Sequence, residues 1–408
     1  MNTVKDIHVS VDVGCHAHRV AVGLSTGELI DEFDLAHRPE GFKSFFDRVD
    51  RCQRRYKGTV SVAMEGYNGW ARPLDSLVRA HGYRLFNINN LKLARFKEIF
   101  PGAAKTDRID ARKALELFQL QAQFKPAKNV LQELLAAPIE VDMLKRLSRR
   151  RRALVDEKAR VLSRLQADLQ AVCPGLLEIT ADAGNVWFLS LLAHSDDLRK
   201  LARVRRSTLL AMRGIGRKYA AIIAQWQKRA CFAHDIAWVG PMIIEDARRV
   251  LELKAKIKAL QHQCEALIDQ VPMAQRIDSI PGFGPVCAAE LTGEIGTIAR
   301  FAKESSFALY LGMASLDNSS GKTSASKPPK HVNARAKAAM MVGVDRHRKQ
   351  VPESQRYYEK KRAQGKSHNQ AIRALGRHLC RVMYSMIRHD RDYELRNNDL
   401  QAERTNGA

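Results

Sequence analysis

Val9-Ser10-Val11-Asp12-Val13 sets a carboxylate into a run of β-branched residues. Valine at alternate positions predicts a strand. An aspartate in that setting is expensive to desolvate unless a cation or a proton answers it. The pattern recurs in Ser61-Val62-Ala63-Met64-Glu65, a second apolar run that closes on an acid. Two more acids stand in Lys105-Thr106-Asp107-Arg108-Ile109-Asp110-Ala111-Arg112, where a helical stretch begins. Acids that converge in this way make a hard oxygen site suited to Mg²⁺ or Mn²⁺.

Outward from these runs, candidate strands cover 7–13, 18–24, 28–34, 59–65 and 83–88, with a Gly-bounded hairpin turn at 23–27. Helical stretches fall near 40–50, 69–81 and 107–123. The order is three strands, helix, strand, helix, strand, helix, which is the order of an RNase H-like α/β sheet. In such a sheet the first strand carries one acid, the fourth a second, and a late helix the rest.

The 408 residues are enough for two or three domains. Lys and Arg number 68 against 44 Asp and Glu, a formal net charge of +24. An excess this large predicts a polyanionic partner, nucleic acid. No run of about 18 apolar residues exists to span a bilayer. Met1-Asn2-Thr3-Val4-Lys5-Asp6 lacks a signal-peptide pattern. Cys15, Cys52, Cys173, Cys231, Cys264, Cys287 and Cys380 are scattered with no CxxC. That points away from a disulfide scaffold and a zinc site and towards a reducing cytoplasm. Cys15, His16 and His18 read as a polar strand-turn edge, since in an extended segment Cys15 points away from the two histidines.

Residues 138–172 read as one long helix carrying Arg149, Arg150, Arg151 and Arg152. Four consecutive arginines point around a full turn, and a phosphate-backbone contact is the expected use. Val250, Leu253, Ile257, Leu260, Cys264, Leu267 and Val271 recur in steps of three and four, the seam of a coiled-coil helix over 243–271. Val155, Leu162, Leu165, Leu169 and Val172 offer a looser partner seam, in the same chain or in a second copy. Gly214-Ile215-Gly216 and Gly282-Phe283-Gly284 each enter a helix, as in a helix-hairpin-helix turn that brings backbone N–H groups to a phosphate. Residues near 173–240 carry no recognisable chemistry and read as an inserted helical segment. The polar end from about Asp390 reads as disordered.

Gly312-Met313-Ala314-Ser315-Leu316-Asp317-Asn318-Ser319-Ser320-Gly321 is followed by Lys322, Lys327, Lys330, His331, Asn333, Arg335 and Lys337. A serine on a Gly-bounded loop among cations can attack phosphate; the same stretch also reads as a flexible linker.

Over roughly 7–125 and 275–385 the chain resembles the transposases of a bacterial insertion-sequence family, one that includes pilin-gene invertases and bridge-RNA-guided recombinases. The resemblance rests on Val9-Ser10-Val11-Asp12, Val62-Ala63-Met64-Glu65, the 105–112 segment, Ser279-Ile280-Pro281-Gly282-Phe283-Gly284 and the 312–321 stretch, in family order. It implies a RuvC-like DEDD domain in which Asp12, Glu65, Asp107 and Asp110 are the metal ligands. It further implies Ser320 as nucleophile, with Ser319 the alternative, and a phosphoserine intermediate. Composite sites between subunits, dimers assembling into tetramers, and a DNA substrate with an element-encoded guide RNA are also implied. Family members commonly have Gly-Leu-x-Pro where this chain has Gly312-Met313-Ala314-Ser315.

The expected division is a catalytic domain at 1–130, a helical, coiled-coil region at 131–274, a mostly α transposase domain with helix-hairpin-helix-like turns at 275–390, and a disordered tail at 391–408. Arg149, Arg150, Arg151, Arg152, Gly282, Gly284, Lys327, Lys330 and Arg335 are the expected nucleic-acid contacts. The competing readings are a junction nuclease that uses metal-activated water and a non-catalytic nucleic-acid scaffold.

Overall fold

The computed structural model describes residues 5–66, 69–99, 106–123, 131–317, 326–327, 329 and 332–395. The chain divides into two compact units, Met1–Ala136 and Ala137–Ala408.

In the first unit the valine-rich runs form a six-stranded sheet. Its strands are β1 (Lys5–Val13), β2 (Ala17–Leu24), β3 (Leu29–Ala36), β4 (Lys57–Glu65), β5 (Arg84–Ile88) and β6 (Leu131–Glu133), in the spatial order β3-β2-β1-β4-β5-β6. The first three strands are an antiparallel meander; β4 and β5 run parallel to β1, and β6 pairs antiparallel with β5. The strand order read from sequence is therefore present, with β6 added. That short strand carries the unit past the boundary expected at 130.

Helices α1 (Pro39–Tyr56) and α2 (Arg72–Ala80) cover one face of the sheet. Phe42, Phe45, Val49, Leu74 and Val78 bury there against Ile7, Val9 and Val11. On the other face lie α3 (Asn90–Lys97) and α4 (Asp107–Gln123), with Leu93, Ala114, Leu117 and Phe118 packed on Ala63, Phe86 and Ile88. Strand alternation divides β1 between these environments. Its odd-numbered valines serve the α1–α2 core. Ser10 faces α4 and donates a buried hydrogen bond of 2.6 Å to the Ala111 carbonyl. Asp12 has the parity of Ser10, so it emerges on the α4 side.

The second unit is helical. Its helices are α5 (Ile139–Val172), α6 (Val186–Leu192), α7 (Arg206–Ala211), α8 (Arg217–Arg229), α9 (Ile236–Ile268), α10 (Pro272–Asp278), α11 (Gly284–Ile295), α12 (Glu304–Tyr310), α13 (Ala334–Gln350), α14 (Pro352–Ala363) and α15 (His368–Arg388). A two-stranded pair, β7 (Leu316–Asp317) and β8 (Ser326–Lys327), lies between α12 and α13. Helices α5 and α9 pack on each other within one chain. They run antiparallel. Val141 and Leu144 of α5 share a core with Cys264, Leu267 and Ile268, while Leu165, Leu169 and Val172 share another with Ile243, Val250 and Leu253. The α9 seam thus serves two cores, with Ile257 and Leu260 half-buried between them. On α5 Leu165, Leu169 and Val172 are buried as expected, but Leu154 and Val161 are buried in place of the expected Val155 and Leu162, one position earlier.

Residues expected to divide at 274 lie in one unit, since the first of these cores runs from α5 to α15. The start of the expected disordered tail is also pinned. Arg276 pairs with Asp390 at 3.0 Å and Asp392 at 2.7 Å, and the Tyr393 amide donates to Ser279 Oγ at 3.0 Å. Residues 396–408 lie outside the described residues. Among the described residues no helix is long and apolar enough to cross a membrane.

Candidate functional site

In the parallel register Val11 stands beside Met64. One residue further along each strand, Asp12 therefore comes alongside Glu65, with both acids on the α4 side. Helix α4 supplies the other two. Thr106 accepts the Asp110 amide at 3.0 Å on its carbonyl and the Ile109 amide at 3.3 Å on its hydroxyl, which caps the helix start. Asp107 and Asp110 occupy the first turn, where the helix dipole favours negative charge. Asp12, Glu65, Asp107 and Asp110 all line one cleft of about 1150 Å³, together with His18, Arg19, Asp34, Trp70, Lys97 and Lys113.

The electrostatics of the cleft are lopsided. Burial, then Glu65, then Asp110, push the Asp12 carboxyl up to about 6; Asp107 adds to this and Lys97 opposes it. Lys97 Nζ lies 2.8 Å from Asp110 Oδ1. Arg19 reaches Asp34 at 2.9 Å. Among the described residues, no three histidines, cysteines or acids close into a metal-ligand set. What the cleft offers is an open, oxygen-only donor group short of positive charge, which fits a hard divalent cation chemically.

Helix α4 is locked in rotation. Arg108 and Arg112 both reach Glu32 on β3, Arg108 at 3.1 Å and Arg112 by two nitrogens, one at 2.6 Å. Neither arginine pairs with Asp107 or Asp110 among the described residues, although both stand beside them in sequence. Their pairing with Glu32 on one flank leaves Asp107 and Asp110 aimed into the cleft on the other.

The arginine run behaves differently from its sequence reading. Arg149 donates to both oxygens of Glu294, at 2.6 and 2.9 Å. Arg152 donates to Glu290 at 2.6 Å, and Arg151 lies 3.8 Å from the same carboxylate. Arg150 alone of the four is exposed and has no such partner among the described residues. Asn333 extends this network. It donates to Glu294 at 2.7 Å and to Tyr310 at 2.8 Å, and its own oxygen caps α13. The two glycines of the second glycine motif also part company. Gly282 has φ +87°, and a Cβ there would collide with the backbone of Arg346 and His347, so its close approach is to α13. Gly284, at φ +58°, has nothing over its Cβ position and remains open at the start of α11. Lys327 and Arg335 are exposed. Ser319, Ser320 and Lys330 lie outside the described residues.

Sequence reasoning did not single out Lys97, Glu32 or Asp34. For Lys97 a signal existed. Asn89 caps α3 by accepting the Lys92 amide at 3.1 Å, and Asn-Asn-Leu-Lys-Leu is a readable helix start.

A transposase model of the DEDD type matches residues 9–174, and the model of the IS116/IS110/IS902 transposase family matches residues 274–359. The chain belongs to the IS116/IS110/IS902 family of transposases. The first of these matches contains all four acids of the cleft, and the second contains the serine segment. Among relatives of this transposase, a protein of insertion element IS110 from Streptomyces coelicolor is 24% identical over 398 residues, covering 96% of each chain. A protein of IS116 from Streptomyces clavuligerus is 25% identical over 327 residues, 78% of this chain and 80% of its own. A protein of IS900 from Mycobacterium paratuberculosis is 26% identical over 340 residues, 81% and 83% of the two chains.

Proposed function

We propose that this transposase cuts and rejoins DNA with the acid cleft of its first unit and a serine of its second. The first unit would be an RNase H-like, RuvC-like domain. The observation that carries this reading is the convergence of Asp12, Glu65, Asp107 and Asp110 on one cleft whose negative charge goes largely unanswered. A half-buried carboxylate held up to about 6 gains from a bound cation.

Asp12, Glu65, Asp107 and Asp110 would hold Mg²⁺ or Mn²⁺. When bound, the metal supplies Lewis-acid polarisation of the phosphate and stabilisation of the departing oxygen. The protein's own residues do the rest. Glu32, through Arg108 and Arg112, keeps the two α4 aspartates in place. Ser320 Oγ, with Ser319 as alternative, forms a bond to phosphorus as one backbone P–O bond breaks. The hydroxyl proton passes to solvent water, and the departing oxygen leaves with the electron pair and takes a proton from water. The ester conserves the bond for rejoining. Lys327, Lys330 and Arg335 would offset the phosphate charge. Arg150 and the open turn at Gly284 would touch backbone phosphate, and Arg149, Arg151 and Arg152 would do so only by sharing charge with Glu290 and Glu294. A homo-oligomer with composite sites and an element-encoded guide RNA complete the reading.

The test is an incubation of labelled duplex DNA and Mg²⁺ with wild type, Asp12→Asn and Ser320→Ala. Loss of strand transfer in both variants, and of a protein–DNA adduct in Ser320→Ala, is expected. Full activity of Ser320→Ala would move the chemistry to metal-activated water. Equal behaviour of wild type and Asp12→Asn would leave only a nucleic-acid scaffold. RNA that copurifies with the protein and whose digestion abolishes target choice would establish the guide.

A further inference from the structure

Helix α15 contains no aspartate or glutamate, yet it carries Arg373, Arg377, Arg381 and Arg388. At about 100° per residue these four fall within an arc of roughly 80°. The opposite face, with Ile372, Leu375, Leu379 and Met383, is buried in the core. The stripe is about 22 Å long at ~1.5 Å per residue. Arg377 is held by Glu304, with one bond of 2.8 Å. Arg388 donates to the Tyr384 hydroxyl at 2.7 Å, which leaves its charge uncompensated. Arg373 and Arg381 have no carboxylate partner among the described residues. At the end of the neighbouring α14, Lys360, Lys361 and Arg362 add three more cations. Their joint field is felt at His378, which burial, then Arg381, Arg377 and Lys361, hold below its ordinary value.

The contrast with the run at 149–152 is informative. The most conspicuous basic segment in the sequence spends three of its four arginines on buried glutamates. The α15 stripe spends one of four on a carboxylate. Charge that the fold leaves unpaired on one face repels itself, and a polyanion relieves that repulsion. Arg373, Arg377 and Arg381 are separated by about 6 Å each and Arg388 lies about 10 Å further on, so the cations form one line along the helix that a sugar-phosphate strand can follow. Tyr384 lies within the arc of the arginines but is buried, so it gives an unpaired base no surface on which to stack.

We propose that the arginine face of α15, with the cations at the end of α14, docks the phosphate backbone of duplex DNA. This rests on the reading of the chain as a transposase that acts on DNA, and it is independent of the acid cleft. The experiment is fluorescence anisotropy of the full chain with a labelled DNA duplex in EDTA across a salt series. Arg373→Gln/Arg381→Gln is compared with Lys228→Gln/Lys258→Gln, an equal loss of charge at exposed positions elsewhere. The α15 pair should make the log–log salt slope shallower by about 1.8 and weaken binding roughly tenfold, with the control unchanged. Ala374→Glu, which sets an opposing charge beside the stripe and keeps every arginine, should weaken binding likewise, and it decides the matter if the double variant melts early. An unchanged slope in a folded α15 variant, or an equal change in the control, would overturn the proposal. A defect seen with an RNA duplex but not with DNA would overturn the choice of occupant. A wild-type protein that binds no duplex would undo the functional reading itself.

Discussion

Two groups of sequestered carboxylates occupy this molecule, and they are treated in opposite ways. In the second unit Glu294 is only 2% exposed, yet burial is outweighed by Arg149 and Asn333, and its carboxyl is held below the ordinary value. Glu290 beside it is met by Arg151 and Arg152. In the first unit Asp12 has Glu65, Asp110 and Asp107 as neighbours, and although Lys97 opposes their effect, burial and these acids push it up. Acids that the fold answers are part of the fold. Of the acids gathered in the first unit, Asp110 is met by Lys97, while Asp12 has no ion pair among the described residues.

The largest separation between the two groups should appear in turnover. Asp12→Asn is expected to cost on the order of 10²–10³-fold in Mg²⁺-dependent strand transfer. Glu290→Gln should cost little in the chemical step, which a gel assay of labelled ends resolves. The next contrast is in stability and has opposite signs. Glu294→Ala leaves Arg149 and Asn333 without their buried acceptor and should lose about 3 kcal/mol in chemical denaturation. Asp12→Asn, in metal-free buffer, should instead stabilise the fold. Glu32→Gln is expected to fall between, weakening Mn²⁺ binding roughly 10-fold through the freed α4 while leaving α4 intact, as calorimetry would register.

The pH response sharpens the same contrast. Asp12 lies above its ordinary value, so the folded state holds this proton more tightly than the unfolded chain does. Its contribution therefore grows as pH falls through about 6 and is complete below the ordinary carboxylate range. Metal-free wild type should gain on the order of 1 kcal/mol relative to Asp12→Asn between about pH 7 and 4, allowing for solvent screening at a half-open cleft. Glu294 runs the other way and loses stability on acidification. Smallest of all, Arg150→Gln should change stability by less than about 0.5 kcal/mol, where Arg152→Gln should exceed that.

Local pattern carried much of the first unit. Strand periodicity located β1 to β5, and the acids at their ends and at the start of α4 proved to share a cleft. Helix α3 was missed because eight residues with mixed polarity give a weak periodic signal, and Lys97 was missed with it. β6 is three residues long and exists through its pairing with β5. The arginine run misled for a different reason. Its partners, Glu290 and Glu294, lie some 140 positions away in sequence, and nothing local announces them. Gly282 misled similarly, since a glycine needed beside a helix backbone reads like one needed beside a phosphate. On α5 Leu165, Leu169 and Val172 keep the expected seam, and only its first two positions shift by one, because three-and-four spacing tolerates either phase across a basic stretch.

The antiparallel pair of α5 and α9 is anchored at both ends and lightly packed midway, near Ile257 and Leu260. It resembles a beam fixed in two walls. Melting one wall need not melt the other, so amide exchange should divide the second unit into two cooperative blocks, with the middle turns of α9 exchanging before either. A strain applied at one end would then be carried to the other by helix stiffness, without any change in the side-chain packing between.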